Sequence, residues 1–163
     1  MTVDELKKYF RDTFTGIRMD EAQGDTFVTY DPDGDLPADR WLPFATIVTS
    51  DNHETVSDLN HPNTYRLNIG LTTKTYASLF GPAPTTRDAN GILDTGHDHA
   101  TRDRLLPHPV YANHHWACVI NPTQTTFDTV RPLLADAYDF AVRKHNNSAS
   151  RAPEHRESRA RTP

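Results

Sequence analysis

The residues best suited to chemistry cluster in residues 105–122, LLPHPVYANHHWACVINP, where His108 stands between Pro107 and Pro109 and Tyr111 follows three residues later. Imidazole titrates near neutrality, so His108 is the candidate general acid or base, with Asp51 as the carboxylate that could act beside it. Each proline fixes its own φ and presses the preceding residue towards extended geometry. The imidazole and the phenol are therefore expected on a stiff arm. A second polar pair, Arg66 and Asn68, stands in YRLNIGL (65–71). A guanidinium there could clamp a carboxylate or phosphate, or it could close a cross-strand or interface ion pair. Arg66, Asn68, His108 and Tyr111 together form the expected ligand-binding set, a few polar groups in an apolar setting.

Other clusters carry less. His97 and His99, either side of Asp98, would face the same side of an extended backbone and could share zinc or nickel. They lack helical i, i+4 spacing and a clear third ligand, so solvated loop histidines are expected, with no metal and no cofactor. The run DPDGD (31–35) begins like a calcium loop, but the later ligands and the downstream glutamate are missing. It reads as a turn, in which Pro presets φ and Gly supplies a positive one. Asp51, His53, Asp58 and His61 share a polar loop. Cys118, the single cysteine, excludes an internal disulfide and a cysteine zinc cage. Its apolar strand predicts an inert, buried thiol.

The elements that must position these groups follow from periodicity. Thr2 to Glu5 is a capping box, and Val3, Leu6, Phe10 and Phe14 repeat at helical spacing, with Gly16 as the stop. Strands are predicted over 26–30 and 43–49. Strict alternation over 65–71 puts Tyr65, Leu67, Ile69 and Leu71 on a packed face and Arg66, Asn68 and Gly70 on a more polar one. A short helix over 74–80 is capped by Thr72 or Thr73 and ended by Gly81-Pro82. Residues 81–104 read as loop. Trp116 to Ile120 is apolar on both faces and reads as an inner strand. Phe127, Val130, Leu134, Ala137 and Ala141 mark a long last helix, expected to become regular near Asp128, or to bend there, because Pro132 is harmless in the first turn and costs about 3 kcal/mol deeper in.

The chain of 163 residues fits one domain, expected over 1–145, followed by a disordered polar tail over 146–163. The fold class expected is α+β: a single antiparallel sheet packed against N-terminal and C-terminal helices. No segment is apolar enough to span a membrane, and no basic, apolar leader opens the sequence, so a cytoplasmic location is expected. The net charge of −5 is uneven. The tail carries four arginines against two glutamates, and the remainder holds 13 basic and 20 acidic residues. An acidic body repels phosphate backbones, which argues against nucleic-acid binding.

Four stretches, PFATIVTSD (43–51), YRLNIGL (65–71), LLPHPVYANHHWACVINP (105–122) and TFDTVRPLLADAYDFAV (126–142), carry a resemblance to a family of small bacterial proteins described only as a domain of unknown function. The match spans roughly residues 5–145 and implies no activity, cofactor or catalytic residue. His97, His99, His114 and His115 lie outside the pattern. The order of elements is also similar to the MmcQ/YjbR-like proteins, which implies a sheet covered by helices and brings a suggested DNA-binding role. Three function classes result: a non-catalytic binding module for a small molecule or a protein partner, which is preferred; a small enzyme using His108 as general acid or base; and a weak nucleic-acid binder. No GxSxG, HExxH, P-loop or dinucleotide motif supports the second. Ligand and oligomeric state stay open.

Overall fold

The computed structural model describes the backbone of residues 1–159 and the side chains of residues 1–150. Three helices, α1 (Val3–Thr13), α2 (Thr73–Phe80) and α3 (Gln124–Arg159), accompany six strands: β1 (Ile17–Ala22), β2 (Asp25–Tyr30), β3 (Ala45–Val48), β4 (Arg66–Gly70), β5 (Leu106–Pro107) and β6 (Trp116–Ile120). The strands form one sheet in the order β1-β2-β3-β4-β6-β5, with every pairing antiparallel. This is the expected α+β class. Among the described residues no helix is long and apolar enough to cross a membrane.

α1 begins as its capping box requires. The Thr2 hydroxyl accepts from the Glu5 amide at 3.1 Å, and the Thr2 amide donates to the Glu5 carboxylate at 2.7 Å. Its apolar stripe puts Leu6 and Phe10 fully inside. β1 was not foreseen. It joins β2 through the two-residue turn Gln23-Gly24, both at positive φ (53° and 83°). That is hairpin-turn geometry, but Gln-Gly lacks the Asn-Gly or Asp-Gly signal that announces it.

Register divides the sheet into two faces. Val28, Ala45, Ile47, Leu67, Ile69, Ala117 and Val119 face Leu6, Phe10, Phe127, Val130 and Leu134 in the main core. The alternate residues, Phe27, Thr46, Val48, Arg66, Asn68, Cys118 and Ile120, form the opposite face. Leu59, from the loop between β3 and β4, packs there on Val48 and Ile120. Half of this second face is thus roofed by loops.

α3 starts at Gln124, earlier than expected, and runs through Pro132. Thr123 receives the Phe127 amide at 2.8 Å and is itself tied to Asp103 through its amide at 2.7 Å. Phe127, Val130 and Leu134 are all wholly buried. Each such burial contributes about 1.5–3 kcal/mol, so together they outweigh a proline costing about 3 kcal/mol. Beyond His145 the helix continues through Asn146–Ser150 with every side chain exposed, so it leaves the body where the composition turns polar. The tail expected to be disordered over 146–163 is helical backbone as far as Arg159, and 160–163 lie outside the described residues.

Gly70 pairs with Trp116 across β4 and β6, and the indole lies over it. A Cβ on Gly70 would sit 3.0 Å from Trp116 Cζ2 and 3.1 Å from Cε2. Replacing Gly70 by Ala should therefore cost roughly 1–3 kcal/mol through overpacking. Thermal unfolding followed by circular dichroism measures this, and an unchanged midpoint would show that the ring shifts freely.

Candidate functional site

The second sheet face is built around Arg66. β4 carries its side chain inward among apolar neighbours, where it is 2% exposed and must find partners for a buried charge. Nη1 pairs with the Glu54 carboxylate and donates to Ser57 Oγ at 2.6 Å. Nε donates to Asn68 Oδ1 at 2.8 Å, and Asn68 Nδ2 donates to Thr46 Oγ1 at 2.9 Å. Nη2 lies 3.3 Å from His108 Nε2. The polar loop after β3 supplies Glu54 and Ser57, and Glu54 also receives the Ser57 amide at 3.1 Å.

His108 reaches Arg66 because β5 pairs with β6 and the chain then folds back over itself. The His108 amide donates to the Trp116 carbonyl at 3.0 Å. Pro109 has no N–H, and its fixed φ brings the next two amides back onto the ring. Val110 N and Tyr111 N donate to His108 Nδ1 at 3.1 and 3.0 Å. The Tyr111 ring sits 5.1 Å from the imidazole, centroid to centroid, and remains exposed. Three N–H groups thus converge on an imidazole that has one lone pair when neutral and none when protonated. Nδ1 spends that lone pair on the arm, so Nε2 carries the hydrogen. Burial, with Arg66 adding to it, holds His108 well below the usual histidine range.

Arg66, Asn68 and Thr46 are therefore joined in one hydrogen-bonded chain, while the His108 ring stands against the guanidinium, N–H facing N–H at 3.3 Å, with Tyr111 against it. Asp51 is not part of it: its carboxylate accepts the Leu59 amide at 2.7 Å and shapes its own loop. Burial also lowers His99, partly opposed by Glu54; its Nε2 meets Thr95 Oγ1 at 2.9 Å, while its Nδ1 is buried without a partner. His97 does not join it in a metal cage, since no group of three or more His, Cys, Asp or Glu among the described residues could hold an ion. Burial raises the Cys118 thiol to about 12, and its Sγ lies 3.8 Å from the Pro107 carbonyl. His115 turns left-handed at φ 67° and packs on Tyr76, away from the thiol.

A half-open hollow lies elsewhere on this face. A concavity of about 410 Å³ opens over β1 and β2, lined by Asp20, Ala22, Phe27, Thr29, Trp41 and Pro43 among others. None of Arg66, Asn68, His108 and Tyr111 lines it. The loop carrying Glu54, Ser57 and Leu59 closes over Arg66 and reaches β2 at Asp25, through His53 Nε2 at 2.8 Å, whereas the hollow lies over Phe27 and Thr29 further along that strand. The two regions are linked through Thr46, which pairs with Asn68 on one side and Phe27 on the other. Trp41 is fixed by its Nε1–H to the Leu36 carbonyl at 2.7 Å and by the Arg18 guanidinium 3.8 Å above its ring. Sequence reasoning missed Glu54, Ser57, Phe27 and Trp41. An exposed Trp41-Leu42 pair within a polar loop was the one signal available for the hollow.

Burial would raise Glu54, but the Arg66 guanidinium and hydrogen bonds involving Ser57 outweigh it and hold the carboxyl below its ordinary value. Replacing Arg66 by Met leaves Glu54 buried and unpaired, at a cost of about 3–5 kcal/mol. Adding Glu54→Gln should recover much of it, so denaturant unfolding of the two single variants and the double variant should be strongly non-additive. Simple additivity would mean that the pair is not coupled.

His108 and His99 are lowered in the folded state, so between their folded values and 6.5 the unfolded chain binds more protons. Stability is full above 6.5 and falls as pH drops below it; Glu54 adds a further loss below 4.5. Urea midpoints across this range should show the decline, and His108→Gln, which keeps an acceptor for the arm amides without a titrating ring, should flatten its upper part. An equal slope in both proteins would exclude His108 as the cause.

Searches of curated proteins and of solved structures give no match. The model of a family of unknown function, DUF6194, matches residues 1–150. With nearly the whole described chain inside that match, the protein belongs to the DUF6194 family.

Proposed function

We propose that the protein is a non-catalytic binding module that works through the open half of its second sheet face. The observation that carries this is the hollow of about 410 Å³ walled by Phe27, Trp41 and Pro43. Its size and mixed lining suit a ligand group or a partner side chain. The residues with catalytic potential support the same reading, because their chemistry is already spent. The one lone pair of His108 is taken by the arm amides. Glu54 is committed to Arg66, and burial keeps the Cys118 thiol protonated. In this view Arg66, Asn68 and His108 hold the roof and orient Thr46 beside the hollow, while Tyr111 offers a separate exposed ring. A nucleic-acid ligand fits less well, since the carboxylates of Asp33, Asp35 and Asp39 lie exposed in the loop that includes Trp41 and would repel phosphates.

A thermal-shift screen of metabolites and short peptides tests this. A ligand present at 100 times its dissociation constant should add about 2.7 kcal/mol of stability. Replacing Ala38, an exposed residue on the rim of the hollow, by Trp should abolish the shift. A ligand whose effect survives Ala38→Trp but disappears in Arg66→Met would move the site to the guanidinium.

A further inference from the structure

We infer that the hollow receives the side chain of an arginine or lysine borne on an extended segment of a partner protein, laid against β1 as an added strand. This rests on the binding-module reading and gives it a partner class.

β1 is the outer strand of the sheet, with β2 on one side and, among the described residues, no strand on the other. Its outward main-chain N–H and C=O groups are a template for another strand. Three consecutive β1 residues, Asp20, Glu21 and Ala22, line the hollow. A strand added at the usual spacing of about 4.8 Å would therefore carry alternate side chains over its mouth. In strand addition the main chain gives affinity and such pockets give selectivity.

The lining selects a long cationic side chain. Phe27 and Pro43 provide apolar surface for an aliphatic stem. Trp41 extends that surface with its indole, which packs under the Arg18 guanidinium at 3.8 Å. Asp20 is neutralised by Arg18 at 3.0 Å and Glu21 by Lys7 at 2.5 Å. Asp33, Asp35 and Asp39 remain exposed and enter no ion pair among the described residues. They stand in the segment that leads from β2 to Trp41, where they complement a basic head group.

The test uses the full chain and two labelled octapeptides, one alternating arginine and valine, the other glutamate and valine, read by fluorescence anisotropy at low and high salt. The arginine peptide should bind at least about tenfold more tightly than the glutamate one and weaken with salt. The triple variant Asp33→Asn, Asp35→Asn, Asp39→Asn, which touches only exposed side chains, should weaken it by about tenfold. Ala38→Trp should do the same, and amide exchange should slow along β1. Equal binding of both peptides, or binding indifferent to the triple variant, overturns the cationic assignment. If Ala38→Trp still blocks that charge-indifferent binding, the hollow remains a binding site with a different occupant. Arginine-peptide binding that persists in Ala38→Trp, without protection of β1, overturns the strand-addition geometry. Self-association that consumes the β1 edge, seen by sedimentation, does so as well.

Discussion

A positive charge buried in a sheet must be neutralised where it lies, and Arg66 imposes that requirement on everything above β4. Its guanidinium sits where an aliphatic side chain would otherwise pack, so neighbouring segments have to bring oxygen and nitrogen to it. The loop after β3 folds inward to deliver Glu54 and Ser57. The loop is then thick enough to bury Leu59 against Val48 and Ile120. The segment before β6 folds inward from the other side and delivers His108. A buried ion pair of this kind adds little net stability compared with an apolar packing of the same volume, but once present it cannot be half removed. Its contribution is specificity: it dictates which loops cross the sheet and how far they reach.

The consequence is a sheet face with two characters. Over β4 and β6 it is closed and crossed by hydrogen bonds from Arg66 and Asn68; over β1 and β2 it is open, with an aromatic wall. Asn68 and Thr46 run between the two, donor to acceptor, from the buried charge to the strand beside Phe27. Groups that look reactive in a list of residues are thereby turned into structural ones, and the surface left for recognition is made of rings, imino acids and a loop of carboxylates.

Much of this was legible in the sequence. Alternation in YRLNIGL placed Arg66 and Asn68 on one face because a strand admits no other arrangement. The Thr2 and Glu5 pair fixed the start of α1, and Trp116–Ile120 is a strand with the expected limits. What could not be read was distance along the chain. Glu54 meets Arg66 from twelve residues away through a loop with no periodicity. Nothing in Asp51 or Glu54 tells which carboxylate turns inward, since both sit in the same polar run. β1 escaped because its hairpin turn uses Gln at positive φ, which local propensity disfavours and pairing with β2 enforces. Pro132 was overweighted because the loss of one helical hydrogen bond is local, whereas the burial that offsets it is tertiary.

One more property comes with the location of the only thiol. Cys118 lies on the closed side of the sheet, paired with Asn68 and covered by the backbone at Pro107. No reagent can reach it unless β5 lifts away from β6. The rate at which a thiol-specific dye modifies the native chain is consequently a clock for the breathing of that flap, installed by the fold itself and needing no engineered label.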